Sequence, residues 1–246
     1  MNSVIGVRVD TTSYKVAANL ILEWTVTRES RYICVATVHS IMEAYDSLVF
    51  KKIINQADLV TPDGMPLVWI LKLKGCPSQT RVYGPTLMIH VIDKAAEKNI
   101  PIGFYGGSPS SLAKLRNNIT SHFPFLQIHY SFSPPFRELT QDEDIQICDE
   151  ITKSGVRILF VGLGCPKQEQ WMAAHKSRLK LVMLGVGAAF DFHSGVKLQA
   201  PIWMQNAGLE WFFRLLSEPR RLWKRYLVHN PRFIILAIAD LLGLIH

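Results

Sequence analysis

RILFVGLG (157–164), followed closely by LVMLGVGAAF (181–190), is the stretch whose reading decides the fold. Both runs are rich in Val, Ile, Leu and Phe without polar alternation, the pattern of strands buried on both faces of a sheet. YICVATV (32–38) and PIGFYGG (101–107) repeat it. Segments of helical period lie between these runs. Residues 15–28 place Val16, Leu20, Ile21 and Trp24 on one stripe. Residues 108–122 begin at Ser108, a good helix cap. Residues 140–153 open with Thr140 and Glu143 at capping-box spacing and carry Ile145, Cys148 and Ile151 on one side. Strands alternating with helices predict an α/β class: a Rossmann-like, mostly parallel sheet flanked by helices.

The style changes near residue 200. From Pro201 the strands stop, and the text reads as a helix, a break at Pro219, a basic helix, a break at Pro231 and a final apolar helix. The expected division is an α/β core over 1–200 and a helical C-terminal appendage over 201–246. The last apolar run, FIILAIADLLGLI (233–245), is interrupted by Asp240 and falls short of the roughly 20 apolar residues that span a bilayer. No signal peptide is expected from the first residues, MNSVIGVRVDTTSYKV.

A 48% apolar fraction is ordinary for a globular chain of 246 residues, and a net charge of +7 points to anionic partners: nucleic acid, anionic lipid or phosphorylated small molecules. Cys34, Cys76, Cys148 and Cys165 are scattered without a C-x-x-C pair, so reduced thiols are expected and neither a disulfide framework nor a thiolate metal site is.

Two stretches carry the chemistry of the core. Thr61-Pro62-Asp63-Gly64 is a strong turn sequence, and a plain turn is one reading of it. The other is a carboxylate, Asp63, held at the rim of the sheet, where α/β proteins place ligands and where it could take a proton from an attacking hydroxyl. Gly162-Leu163-Gly164-Cys165-Pro166-Lys167-Gln168-Glu169 follows a buried strand. Glycines there let a ligand approach the backbone, and a helix N-terminus beside Lys167 suits an anion. It is neither a dinucleotide fingerprint nor a Walker loop. Gly106-Gly107 and Gly185-Val186-Gly187 make further glycine turns at strand ends, so a phosphate- or nucleotide-binding rim is the expectation. Asp191 and His193 follow a strand end, with a polar terminus and a ribose or sugar contact as the two readings. His39 is read as a satisfied strand-end histidine.

The tail interleaves Arg214, Arg220, Arg221, Lys224, Arg225 and Arg232 with Trp211, Trp223 and Tyr226. Arg214, Arg221 and Arg225 share a face if Pro219 only kinks the helix. Basic residues near an anionic lipid surface contribute about 1 kcal/mol each, and arginines fork equally well onto a diphosphate. Single-stranded RNA would use the same residue types. From the tail alone the three stay open.

The ordered set ADLVTPDGMPLV, RVYGPTLM, GFYGGSP, VGLGCPKQEQW, GVGAAFDFHSG and APIWMQNAGLEWFFRLLSEPRRLWKRY closely resembles the WecG/TagA/CpsF glycosyltransferase family, glycosyltransferase family 26, from about residue 4 to 232. The resemblance implies an inverting bacterial enzyme that moves a sugar, N-acetylmannosamine or its uronic acid first, from a UDP-sugar to a polyprenyl-diphosphate-linked sugar. Asp63 would be the catalytic base, with Gln168 near the reacting sugar and Thr37 able to donate one hydrogen bond there. Gly106, Gly107, Gly164, Lys167, Gly187 and Asp191 would hold the nucleotide-sugar. Arg81, Arg214, Arg220, Arg221 and Arg225 would meet the diphosphate. No metal or other cofactor and no nucleic acid are expected. The protein would sit in the cytoplasm, peripherally on an anionic membrane surface, the inner face of the plasma membrane. Assembly into a homo-oligomer is left open, through the core or the apolar tail. Val35 and Thr37 stand where the family often shows Thr-x-Asn, Thr86 where it has an acid, and Gln199 where it has Arg. The reading from another class is a non-catalytic, membrane-associated regulator that binds a nucleotide-sugar without turning it over.

Overall fold

The computed structural model describes residues 2–245, apart from the side chain of Arg225. A short antiparallel hairpin, β1 (Ser3–Val4) with β2 (Val7–Arg8), precedes α1 (Tyr14–Thr27). Then follow β3 (Arg31–Ala36), α2 (Val38–Asp46), α3 (Leu48–Asn55), β4 (Leu59–Pro62), α4 (Met65–Leu73) and α5 (Gly84–Glu97). The middle of the chain forms β5 (Ile102–Gly106), α6 (Pro109–His122), β6 (Ile128–Phe132), α7 (Gln141–Lys153), β7 (Ile158–Gly162), α8 (Lys167–His175) and β8 (Val182–Gly185). Short helices α9 (Ala189–His193) and α10 (Ile202–Asn206) lead to α11 (Glu210–Ser217) and α12 (Pro219–Leu241).

Six strands make one sheet in the order β4-β3-β8-β7-β5-β6, and every pairing in it is parallel. The unalternating apolar runs are explained by cores on both faces. Leu, Ile and Val side chains of α1, α5 and α6 cover one face. Those of α2, α3, α4, α7 and α8 cover the other, joined by Phe233 and Ala237 from α12. Because all strands point the same way, their carboxyl ends line one edge, and the turns after all six converge there.

Local details depart from the periodicity reading. Strands stop earlier than their apolar runs: Thr37 is not in β3 but caps α2, accepting from the Ser40 N–H, and Asp191 and His193 sit on α9 rather than at a strand end. In α1 the buried stripe is Ala17, Ala18, Ile21, Leu22 and Thr25, while Val16 is exposed. Two alanines let the helix lie close against its neighbours at that end, with Val16 on the outer side. Ile145 is likewise exposed and Ile147 buried in its place. The caps at Ser108 and Thr140 form as the sequence predicts, the latter with its reciprocal Glu143 bond.

Pro231 does not break the tail. α12 runs through it to Leu241. An internal proline costs a helix about 3 kcal/mol, and the docking of its second half offsets that. Phe233 and Ala237 are buried in the core; Asp240 accepts from the Ile5 N–H at 2.8 Å and from Lys74 Nζ at 2.7 Å. Arg232 reaches Asp46 on α2 with Nη1 at 2.7 Å from Oδ2. The acid that interrupts the last apolar run is therefore an anchor to the core. None of the described helices is long and apolar enough to cross a membrane. Breaking a buried pair by removing one partner costs several kcal/mol. Asp240→Ala should lower unfolding free energy in urea by about 3 kcal/mol and speed tryptic cleavage within α12.

Candidate active site

The converging turns frame a cavity of about 830 Å³ along the carboxyl edge of the sheet. Gly107, Gly164, Lys167, Gln168, Gly187 and Asp191 all line it, together with Thr37, Asp63, Arg214 and Arg221. Gly106 does not. Its φ is +124°, and an added Cβ would stand 2.6 Å from the Gly162 carbonyl carbon, so the glycine is required by contact between β5 and β7. At Gly164 nothing lies within 4 Å of such a Cβ, which leaves open space for a ligand.

Gln168 lies in the first turn of α8 and is buried at the floor of the cavity. Its Oε1 accepts from the Gly164 N–H at 3.2 Å, and its Nε2 donates to Glu169 Oε1 at 2.9 Å. The amide is therefore oriented from two sides. Lys167, at the exposed start of the same helix, has no carboxylate partner among the described residues, and neither has Arg214. Asp191 accepts from Ser111 Oγ at 3.3 Å and pairs with Lys197 at 2.7 Å. Lys197 also reaches Glu218 at 3.3 Å, at the junction of α11 and α12, and Glu218 in turn contacts Arg221. Burial lowers the His193 pKa, while a hydrogen bond between its Nε2 and the Pro85 carbonyl opposes the shift.

Asp63 follows β4 and is buried, yet it touches the cavity. Its Oδ2 accepts from the Gly84 N–H at the start of α5 at 3.1 Å, and its Oδ1 from Arg81 Nη2 at 2.8 Å. A carboxylate offers about four lone-pair sites, so both oxygens retain room for a proton. Arg81 Nε also donates to the Asp63 carbonyl. Arg81 is thus turned to carboxylates; it does not line the large cavity but lies on the wall of a second one. Burial works against its charge, but Asp63 and Glu210 outweigh burial and raise its pKa.

A second cavity of about 690 Å³ lies between α4, α11 and α12. Its walls are mostly apolar, with Trp69, Ile70, Leu215, Leu227, Ile234 and Ile238 among them, and Arg81 and Glu210 stand at its polar end. The two cavities share three residues: Thr37, Asp63 and Arg214. Arg220 is exposed and lines neither, and the side chain of Arg225 is outside the described residues. Arg214 and Arg221 do not share one helix, because the chain turns at Glu218 with φ −135° and ψ 57°. They approach the same cavity from two helices instead.

The profile of the "Glycosyl transferase WecG/TagA/CpsF family" matches residues 2–245. The chain belongs to this glycosyltransferase family. One relative, the N-acetylglucosaminyldiphosphoundecaprenol N-acetyl-beta-D-mannosaminyltransferase of Bacillus spizizenii, is 31% identical over 193 residues, 78% of this chain and 72% of the relative. The enzyme of the same name from Bacillus subtilis is 30% identical over 189 residues, 76% of this chain and 71% of the relative. The matched span of the family takes in both cavities and the helices of the tail.

Some residues of the glycosyltransferase escaped sequence reasoning. The loop 133–139 lines the large cavity with Pro134, Pro135 and the exposed Phe136; its sequence carries no glycine motif to mark it. Lys197 had one available signal, a cation six residues after Asp191 and just past the Ser194-Gly195 turn. Glu210 had none.

Glu169, fully buried behind Gln168, supplies a pH test. Burial raises its pKa from 4.5 to about 6, partly opposed by the Gln168 hydrogen bond. A raised carboxyl pKa contributes stability below the unfolded value, and that contribution is lost as pH climbs through the folded one. A rise of that size corresponds to about 2 kcal/mol. Glu169→Gln should therefore be more stable than the parent by up to about 2 kcal/mol at pH 8 in urea unfolding, with the advantage fading towards pH 4.5. An advantage that grows on acidification would contradict the assignment.

Proposed function

We propose that this glycosyltransferase moves an N-acetylmannosamine-type sugar from a UDP donor to a polyprenyl-diphosphate-linked sugar, with inversion at the anomeric carbon. The observation that carries this reading is the meeting of a polar and an apolar cavity at Thr37, Asp63 and Arg214. The polar cavity, with its glycine turns and Lys167, Lys197, Arg214 and Arg221, suits a nucleoside diphosphate sugar. The apolar one suits the first isoprene units of a lipid-linked acceptor. The relatives' names describe transfer of an N-acetyl-beta-D-mannosaminyl group to N-acetylglucosaminyldiphosphoundecaprenol, a product and acceptor of this chemistry.

In the proposed reaction the acceptor hydroxyl oxygen attacks C1 of the donor from the face opposite the phosphate. The C1–O bond breaks, UDP takes the electron pair, and Asp63 takes the hydroxyl proton. Gln168 and Thr37 contact the reacting sugars. Lys167, Arg214 and Arg221 offset the charge that develops on UDP, in place of a metal. The tail works at a membrane surface: Trp223, Leu227, Val228, Ile234 and Ile235 are exposed beside Arg220 and Lys224. An apolar patch with basic neighbours favours an anionic bilayer, here the cytoplasmic face of a bacterial plasma membrane.

Asp63→Asn should lower transfer by about 10²–10⁴-fold, the usual contribution of a general base, while UDP binding by calorimetry stays within a few-fold of the parent. Near-normal transfer would remove Asp63 from the role. A chain that binds UDP-sugars yet neither transfers nor hydrolyses them would be a regulator instead.

A further inference from the structure

Glu210 lies in the tail, 129 residues from Arg81 in sequence, and no motif marks it. It opens α11, is buried, and accepts from Arg81 Nη2 through Oε2 at 2.7 Å. The same nitrogen donates to Asp63 Oδ1 at 2.8 Å. Nη2 carries two N–H bonds, so each carboxylate takes one. The remaining freedom of the guanidinium is removed by its Nε bond to the Asp63 carbonyl and by the Tyr83 ring, whose centroid lies 4.1 Å from Cζ.

The position of Glu210 depends on how the tail is seated. Gly208, two residues earlier, has φ +73°, and a Cβ there would stand 3.0 Å from the Trp69 ring and 3.2 Å from Met65 Cβ. The turn into α11 therefore lies flat on α4, the helix that follows Asp63. Only a docked tail brings the Glu210 carboxylate to Arg81.

We propose that Glu210 is a positioning residue for transfer: by sharing Arg81 with Asp63 it fixes the base at the meeting point of the two cavities and keeps it free to accept a proton. The charge count gives the reason. One guanidinium between two carboxylates leaves one negative charge in excess. With Glu210 neutralised, Arg81 and Asp63 form a closed pair of opposite charges, and the cation draws wholly on the carboxylate that must take the proton. The tail thus acts on the reaction through an acid as well as through its arginines. The inference rests on Asp63 as the proton acceptor.

The full-length protein, a UDP-N-acetylmannosamine donor and a short-chain polyprenyl-diphosphate N-acetylglucosamine acceptor provide the test. Glu210→Gln keeps the shape and a hydrogen-bond acceptor but not the charge. Its kcat should fall about tenfold or more, part of the 10²–10⁴ that a general base supplies. The donor KM, UDP binding and thermal midpoint should stay near the parent's. Glu210→Asp, which keeps the charge, should recover activity towards the parent. A Glu210→Gln enzyme with kcat within about twofold of the parent, beside an inactive Asp63→Asn, would overturn the positioning role and leave the base in place. Loss of kcat, donor binding and thermal midpoint together would overturn it as well, since that is the mark of a merely structural carboxylate. A fully active Asp63→Asn would remove the base, and this inference with it.

Discussion

One guanidinium ties the edge of the sheet to the tail. Arg81 stands between Asp63 at the end of β4 and Glu210 at the start of α11, and it is largely withdrawn from water. Burying these charges is costly, and the two carboxylates are tolerable only because Arg81 stands between them: removing the guanidinium would leave two buried negative charges uncompensated, at a cost of several kcal/mol. The edge of the sheet, the start of α5 and the tail are therefore interdependent. The tail packs with the core through Phe233, Ala237 and Asp240 at one end and is bound to the site through Glu210 at the other.

The all-parallel sheet explains why a site forms where it does. All six strand ends deliver their turns to one edge, and the glycines, the helix starts and the loop 133–139 that follow them make a polar cavity. The tail adds what the sheet cannot supply, an apolar wall facing α4. Transfer between a water-soluble donor and a lipid-linked acceptor needs two such environments in contact. Asp63, Thr37 and Arg214 lie where they touch.

The sequence made the strands legible because burial on both faces removes polar alternation, and it made Ser108 and Thr140 legible because caps are local chemistry. The place of Asp63, Gln168 and Lys167 at the edge of the sheet was legible because each lies in a short motif at a strand end. What stayed hidden depends on contacts between distant segments. Gly106 looked like a ligand-facing glycine, but its neighbour is Gly162 on the adjacent strand. Nothing local in Arg81 reveals that two carboxylates, one of them in the tail, will stand beside it. Pro231 looked like a helix break because nothing local reveals that Asp240 will find Lys74 and the Ile5 N–H.

The central claim is that donor and acceptor meet at Asp63 from opposite cavities. A crystal structure of the protein with a non-transferable UDP-sugar and a short-chain polyprenyl-diphosphate sugar tests it most directly. The account predicts the acceptor hydroxyl about 2.6–3.2 Å from an Asp63 carboxylate oxygen, UDP along the glycine turns, and the isoprenoid stem between α4 and α12. An acceptor bound with its hydroxyl beyond hydrogen-bond reach of Asp63, or with its stem outside that apolar cavity, would contradict it.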